Sequence, residues 1–305
     1  MATALLVFPG IASTESFETA GSSALALALL ARELVAKAED PIMRANIVDL
    51  GKASLGILIE GERAPLAALI AGSSALMAGP AFLGDGFSDV EWQAALRRLR
   101  MVAQSKAIEG RAAADWRLGS EKGLLSADLK SARLAWERGF SKKSVEAVFI
   151  ADAGTSSPSV LFAGSSTVAG PSASRPFEAV ARPGLAREGA LAVLAEYLAE
   201  RASPSPARAW SLSAEGLSID RSLVGLLPAV IPVPASTTVR DAALSRAKAR
   251  ALFRLFGDGG DRMAAIDMGL DLAAGGDGSL PFLLAAAIES TDGAGLAEAA
   301  RTAPF

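Results

Sequence analysis

Short apolar runs that alternate with longer helical patterns restrict the first half of this 305-residue chain more than any other feature does. Ala4 to Phe8 is continuous and apolar, and a Ser-, Thr- and Gly-rich loop from Pro9 to Ser23 follows it. Leu25, Leu27, Leu29, Leu30, Leu34 and Val35 then predict a helix with a wide apolar face, with Ser22 or Ser23 placed to cap it. Ala45 to Leu50 predicts a short strand, Glu62 to Ile70 a helix, and Ala75 to Ala78 a further apolar run closed by Gly79-Pro80. Val90 to about Ala107 predicts a helix, Val145 to Ala151 a strand, and Ser159 to Phe162 a second strand. Continuous apolar strands are those covered on both faces, and their alternation with helices predicts βαβ units and a mainly parallel sheet.

Past residue 185 the pattern changes. Gly189 to Ala202 predicts a helix that ends at Ser203-Pro204-Ser205-Pro206, Trp210 to Ile219 a strand or hairpin, and Thr238 to about Phe256 a helix opened by a capping box. Short helices joined by Gly-Asp turns complete the chain, with Asp258, Asp261, Asp267, Asp271 and Asp277 among them. The expected division is therefore an α/β domain over residues 1–185 and a mainly helical region over 186–305.

Two residue types are missing altogether. Without His there is no Ser-His-Asp or Cys-His catalysis and no imidazole metal ligand; without Cys there is no disulfide, thiolate nucleophile or iron–sulfur cluster. No catalytic residue and no metal site is expected. No Lys or Arg precedes Arg32, which argues against a secretory leader and for a cytoplasmic location. The uncharged stretches Ala64 to Gly84 and Ser222 to Val239 are interrupted by Pro and Gly and read as buried segments, without integral membrane insertion.

In an open parallel sheet, ligands bind beyond the carboxyl ends of the strands. Four loops would meet there: Pro9 to Ser23, Asp49 to Lys52, Gly79 to Ser88 and Asp152 to Ser159. The first offers the hydroxyls of Ser13, Thr14, Ser16 and Thr19 beside a helix N-terminus, which is an anion cradle. The order of apolar strand, Ser/Thr loop, helix and VDL strand, followed by ALMAGPAFLGDGFSDVEWQAALRRL (Ala75 to Leu99), resembles the flavodoxin-like NAD(P)H-dependent FMN reductases over at most the first 165 residues. The resemblance implies a flavodoxin-like parallel sheet, Ser13, Thr14, Ser16 and Thr19 on the FMN phosphate, and Pro80, Ala81 and Phe82 beside the flavin ring. NAD(P)H would supply the hydride, so the missing histidines would be no obstacle to an oxidoreductase. The sequence departs from that family in its long first loop without a basic residue, in a Pro-Ala-Phe triplet, and in the long basic segment after Leu99.

That segment, residues 97–143, is a basic helical insertion with twelve Lys and Arg against five Asp and Glu, inside a chain whose net charge is -3. Trp116 and Trp136 interrupt it, so it can hold an acidic protein or track a nucleic acid, or else form a hairpin whose tryptophans pack inward. Arg246, Arg250 and Arg254 form a second basic stripe at helical spacing. Three functions remain open at this level: a flavin- or phosphate-binding protein, a non-catalytic subunit of a homo-oligomer or larger complex, and a nucleic-acid-binding accessory protein.

Overall fold

The computed structural model describes residues 2–38, 40–51, 53–108, 118–140, 145–151, 184–204, 206, 209–213, 216–220, 222–223, 225–226, 237–256, 260–273, 278 and 280–302. The chain divides into two compact units, Met1–Arg175 with Leu272–Gly275, and Pro176–Asp271 with Gly276–Phe305. Each is built around one helix buried along almost its whole length.

In the first unit, β1 (Ala2–Phe8), β2 (Arg44–Asp49), β3 (Leu55–Gly61) and β4 (Glu146–Ala151) form a sheet of order β2-β3-β1-β4. Every neighbouring pair is antiparallel. This overturns the expected parallel, flavodoxin-like α/β sheet. The physical reason is β3, encoded by the apolar run Leu55 to Ile59, for which no strand was expected. β2 turns straight back into β3 through residues 50–54, where Leu50 N–H donates to the Ser54 carbonyl (3.0 Å) and Ser54 N–H to that of Gly51 (2.7 Å). A turn this short can join only antiparallel neighbours. β1 and β2 do run the same way across a helix, as expected, but β3 lies between them and antiparallel to both.

All seven residues of β1 are buried, which explains its unbroken apolar run. On one face, Ala4, Leu6 and Phe8 join Ile57, Ile59 and the helices α1 (Ser22–Lys37) and α2 (Arg63–Ala78) in a single core. The run Ala75 to Ala78 is the last turn of α2 and not a separate element. A 3-10 turn at Ala81–Leu83 leads to α3 (Asp89–Ile108), α4 (Glu121–Ser126) and α5 (Leu129–Gly139). The described part of the expected basic insertion is thus helical. Asp128 and Ser131 start α5 with a reciprocal capping box. The expected strand at Ser159 to Phe162 lies outside the described residues.

The second unit centres on α6 (Leu185–Ala199), in which every residue from Gly189 to Ala199 is buried. Around it pack a two-stranded antiparallel ribbon of β5 (Trp210–Ser213) and β6 (Gly216–Ile219), and the helices α7 (Thr237–Phe256), α9 (Leu280–Ser290) and α10 (Gly293–Thr302). α8 (Gly260–Ala273) connects α7 to α9 along the chain. Alanine makes this possible, because small side chains let helix backbones approach closely. Opposite Gly189 a Cβ would stand 2.6 Å from Ala287 Cβ and 2.9 Å from Ile288 N, so α6 meets α9 with no room for a side chain.

Candidate functional site

The loop expected to cradle a phosphate is closed upon itself. Ser13, Thr14, Ser16 and Thr19 are all exposed, and Ser16 N–H donates to Thr19 Oγ1 (2.9 Å). The N-terminus of α1 is occupied by the loop's own carboxylate: Glu15 accepts from Gly21 N–H (3.1 Å) and Ser23 N–H (2.5 Å). Gly21, at φ 113°, is the N-cap itself, in a left-handed conformation that costs little only for glycine. Ser23 caps nothing; its hydroxyl donates to the Ile11 carbonyl (3.1 Å). Burial pushes the Glu15 carboxyl above its usual range, against the pull of the two N–H groups and the Ser23 hydroxyl.

The Pro80-Ala81-Phe82 triplet faces inward. Pro80 is buried, Ala81 N–H donates to Glu33 Oε2 on α1 (2.7 Å), and Phe82 is fully buried with its ring edge-on to Trp136 at 5.6 Å. Trp136 also meets Phe8 at 6.1 Å and stacks on Phe140 at 4.0 Å. Arg133, one turn earlier, donates to the Phe82 carbonyl (2.8 Å) and to that of Gly84. The triplet therefore anchors α5 to the sheet. Three of the four expected loops do gather at one end of the sheet, since Gly10 N–H donates to Ser54 Oγ (3.0 Å) and Phe82 reaches Phe8 through Trp136. The fourth, Asp152 to Ser159, lies outside the described residues.

Trp136 settles one of the two meanings open for residues 97–143: in α5 the tryptophan packs inward. Trp116 lies outside the described residues. In the middle of α3 Arg97, Arg98, Met101 and Val102 face outward, the last two 63% and 43% exposed. Between them Arg100 turns to α4 and donates to the Leu124 carbonyl from both Nε (3.0 Å) and Nη2 (2.8 Å). The next residue of α4, Leu125, is 68% exposed, and its carbonyl lies 3.5 Å from Arg100 Nη2. Composition had marked the cations; the exposed aliphatic residues among them carry no comparable sequence signal.

In the second unit the arginine stripe has its partners within the fold. Arg254 pairs with the buried Glu196, and Arg246 and Arg250 approach Glu200 at 3.0 and 3.7 Å. Glutamates four apart on α6 meet arginines four apart on the antiparallel α7. Burial pushes the Glu196 carboxyl up, opposed by Arg254, Arg250 and the Trp210 indole. The signal was present as two acids in the otherwise apolar Ala195 to Glu200. Of the tail aspartates, Asp271 accepts from Gly278 N–H (2.8 Å) and Leu280 N–H (3.4 Å), tying α8 to the start of α9. A groove of about 460 Å³ between α6 and α10 is floored by Ala186, Ala190 and Ala299. Its charged side chains are engaged, Arg187 with the Thr302 carbonyl and Glu298 with Arg301. Among the described residues no three Asp or Glu side chains converge as a metal site. One stretch among them, Arg63–Leu83, is long and apolar enough to cross a membrane, and its Leu66, Leu69, Ile70 and Met77 are buried in the core of the first unit.

No protein-family model matches the chain, and no curated protein matches its sequence. Its fold is that of a solved chain. The similarity is to a chain of the structure described as complex III2 from Candida albicans with Inz-5 bound, at a TM-score of 0.54 and 13% identity, over 99% of this chain and 87% of that one. The likeness spans both units. The flavodoxin-like and oxidoreductase assignments drawn from a parallel sheet are replaced by this antiparallel fold.

Proposed function

We propose that this chain acts as a subunit of a larger protein assembly and not through chemistry of its own. The observation that carries the reading is a fold shared along nearly the whole chain with a component of a multi-chain complex. The chemistry of the side chains agrees with it. The sequence contains neither His nor Cys, the hydroxyl loop is closed by Glu15, and the triplet expected beside a flavin serves as core. Binding surfaces on rigid helices need none of the residue types that are missing.

The test is to tag the chain at its native locus, isolate it at native expression level, and measure particle mass and composition. The expected result is a particle far heavier than the 31.1 kDa chain, with constituents in a fixed ratio. A monomer would overturn the reading, as would purified protein that carries flavin absorbance and turns over NAD(P)H.

A further inference from the structure

We infer that the outer face of α3, extended by α4, is the docking surface for an acidic, amphipathic helix of a partner protein. The inference rests on the subunit reading and adds to it the place of contact and the chemistry of the partner. Three observations meet on this face. Arg97 and Arg98 are exposed, and neither enters an ion pair among the described residues. Met101 and Val102 follow one turn later on the same side of α3 and are exposed, although burying side chains of this size normally stabilises a fold. Leu125 adds an exposed aliphatic side chain on α4, next to the Leu124 carbonyl by which Arg100 fastens the last turn of α4 to α3. An exposed cationic pair beside an aliphatic cluster is complementary to a helix carrying acids one turn away from leucine-like side chains.

Two other occupants fit less well. Nucleic acid without sequence preference is held by aromatic rings on which bases stack. Among the described residues of this face the exposed apolar side chains are Met101, Val102 and Leu125, all aliphatic, and Trp136 is 2% exposed. A helix lying in a bilayer surface separates apolar from cationic residues around its axis along its whole length. Here the separation runs along the axis, the arginines on one turn and Met101 with Val102 on the next, which suits a partner of matching pattern.

The experiment uses the full chain and three fluorescent probes. These are a synthetic helical peptide with paired glutamates one turn from paired leucines, a peptide of the same composition in scrambled order, and an oligothymidine. Phosphatidylserine vesicles serve as competitor. The patterned peptide should bind at least about tenfold more tightly than the scrambled one. R97E/R98E should weaken it by about tenfold or more, and M101S/V102S by about fivefold, both with unchanged melting because the side chains are exposed. Equal binding of the two peptides would overturn the inference. So would tighter binding of the oligothymidine, displacement of the patterned peptide by vesicles, or indifference to M101S/V102S. The two readings can fail separately. A monomer in the cell that still selects the patterned peptide loses the subunit reading alone, and an assembly subunit that ignores the peptide loses this surface alone.

Discussion

Glu15 and Glu196 make a pH-dependent contribution to stability, because burial is the main cause that pushes each carboxyl above its usual range. In the folded chain both hold a proton more tightly than they do when unfolded. The native state therefore binds more protons just above pH 4.5, and stability falls as the pH rises through the folded values. No histidine competes for the effect. From pH 4.5 to pH 7 the melting temperature of the natural chain is expected to fall relative to that of E15Q/E196Q. An equal drop in both proteins would contradict the assignment. The same logic separates the arginines of α7. Arg254 faces the buried Glu196, whereas Arg246 is 55% exposed and shares Glu200 with Arg250. Urea unfolding at pH 7 should show R254A destabilised by about 3 kcal/mol and R246A by less than about 1 kcal/mol. The R254A deficit should shrink as the pH is lowered towards 4.5, because Glu196 can then take up a proton instead of standing charged and unpaired.

Two glycines at the level of elements carry opposite expectations. At Gly189, where α6 and α9 touch, even a methyl group would force the backbones apart, and Gly189→Ala is expected to cost about 1–3 kcal/mol. Gly72 sits inside α2 with nothing within 4 Å of a would-be Cβ, so Gly72→Ala should stabilise by about 0.5–1 kcal/mol through helix propensity. Denaturant melts of the two variants side by side would check both signs. These contacts also explain which elements can be read from the chain. β1, β2, α1, α3, α6, the β5–β6 ribbon and α7 are visible because each has its own apolar pattern and boundary. β3 has the pattern of Leu55 to Ile59, but Gly51 alone announces the turn before it, and Ala53, at φ 60°, adopts a conformation that its residue type does not advertise. Missing that one strand turns an antiparallel sheet into a parallel one and converts polar loops into a ligand edge. The role of Glu15 was hidden, since a carboxylate that caps a helix six residues away has no local signature, whereas Glu196 and Glu200 stand out as acids in an apolar stretch although nothing local names their partners on α7.

On the scale of the whole chain, two separate cores stand where composition shows a single 51% hydrophobic total. One gathers around Trp136, Phe8, Phe82 and α1, the other around α6 with Leu194, Leu198 and Ala247. Cavities cut in each should therefore be felt in different places. Trp136→Ala and Leu194→Ala each remove a fully or almost fully buried side chain, at a cost of about 3–5 and 2–5 kcal/mol. Hydrogen exchange should then show W136A losing protection in β1, β3, α1 and α5, and L194A losing it in α6, α7 and α9. Uniform loss across both sets in either variant would mean a single cooperative core. The distinction matters for a subunit, because the proposed docking face lies on α3 and α4 and draws its rigidity from the first core. Leu96 and Leu99 of α3 and Leu124 of α4 belong to that core, while Arg97, Arg98, Met101 and Val102 stand on the opposite side of the same helix. W136A should thus weaken binding of the patterned acidic peptide by loosening α5 and its neighbours, whereas L194A should leave that binding unchanged. A reversal of that order would assign the recognition surface to the second unit.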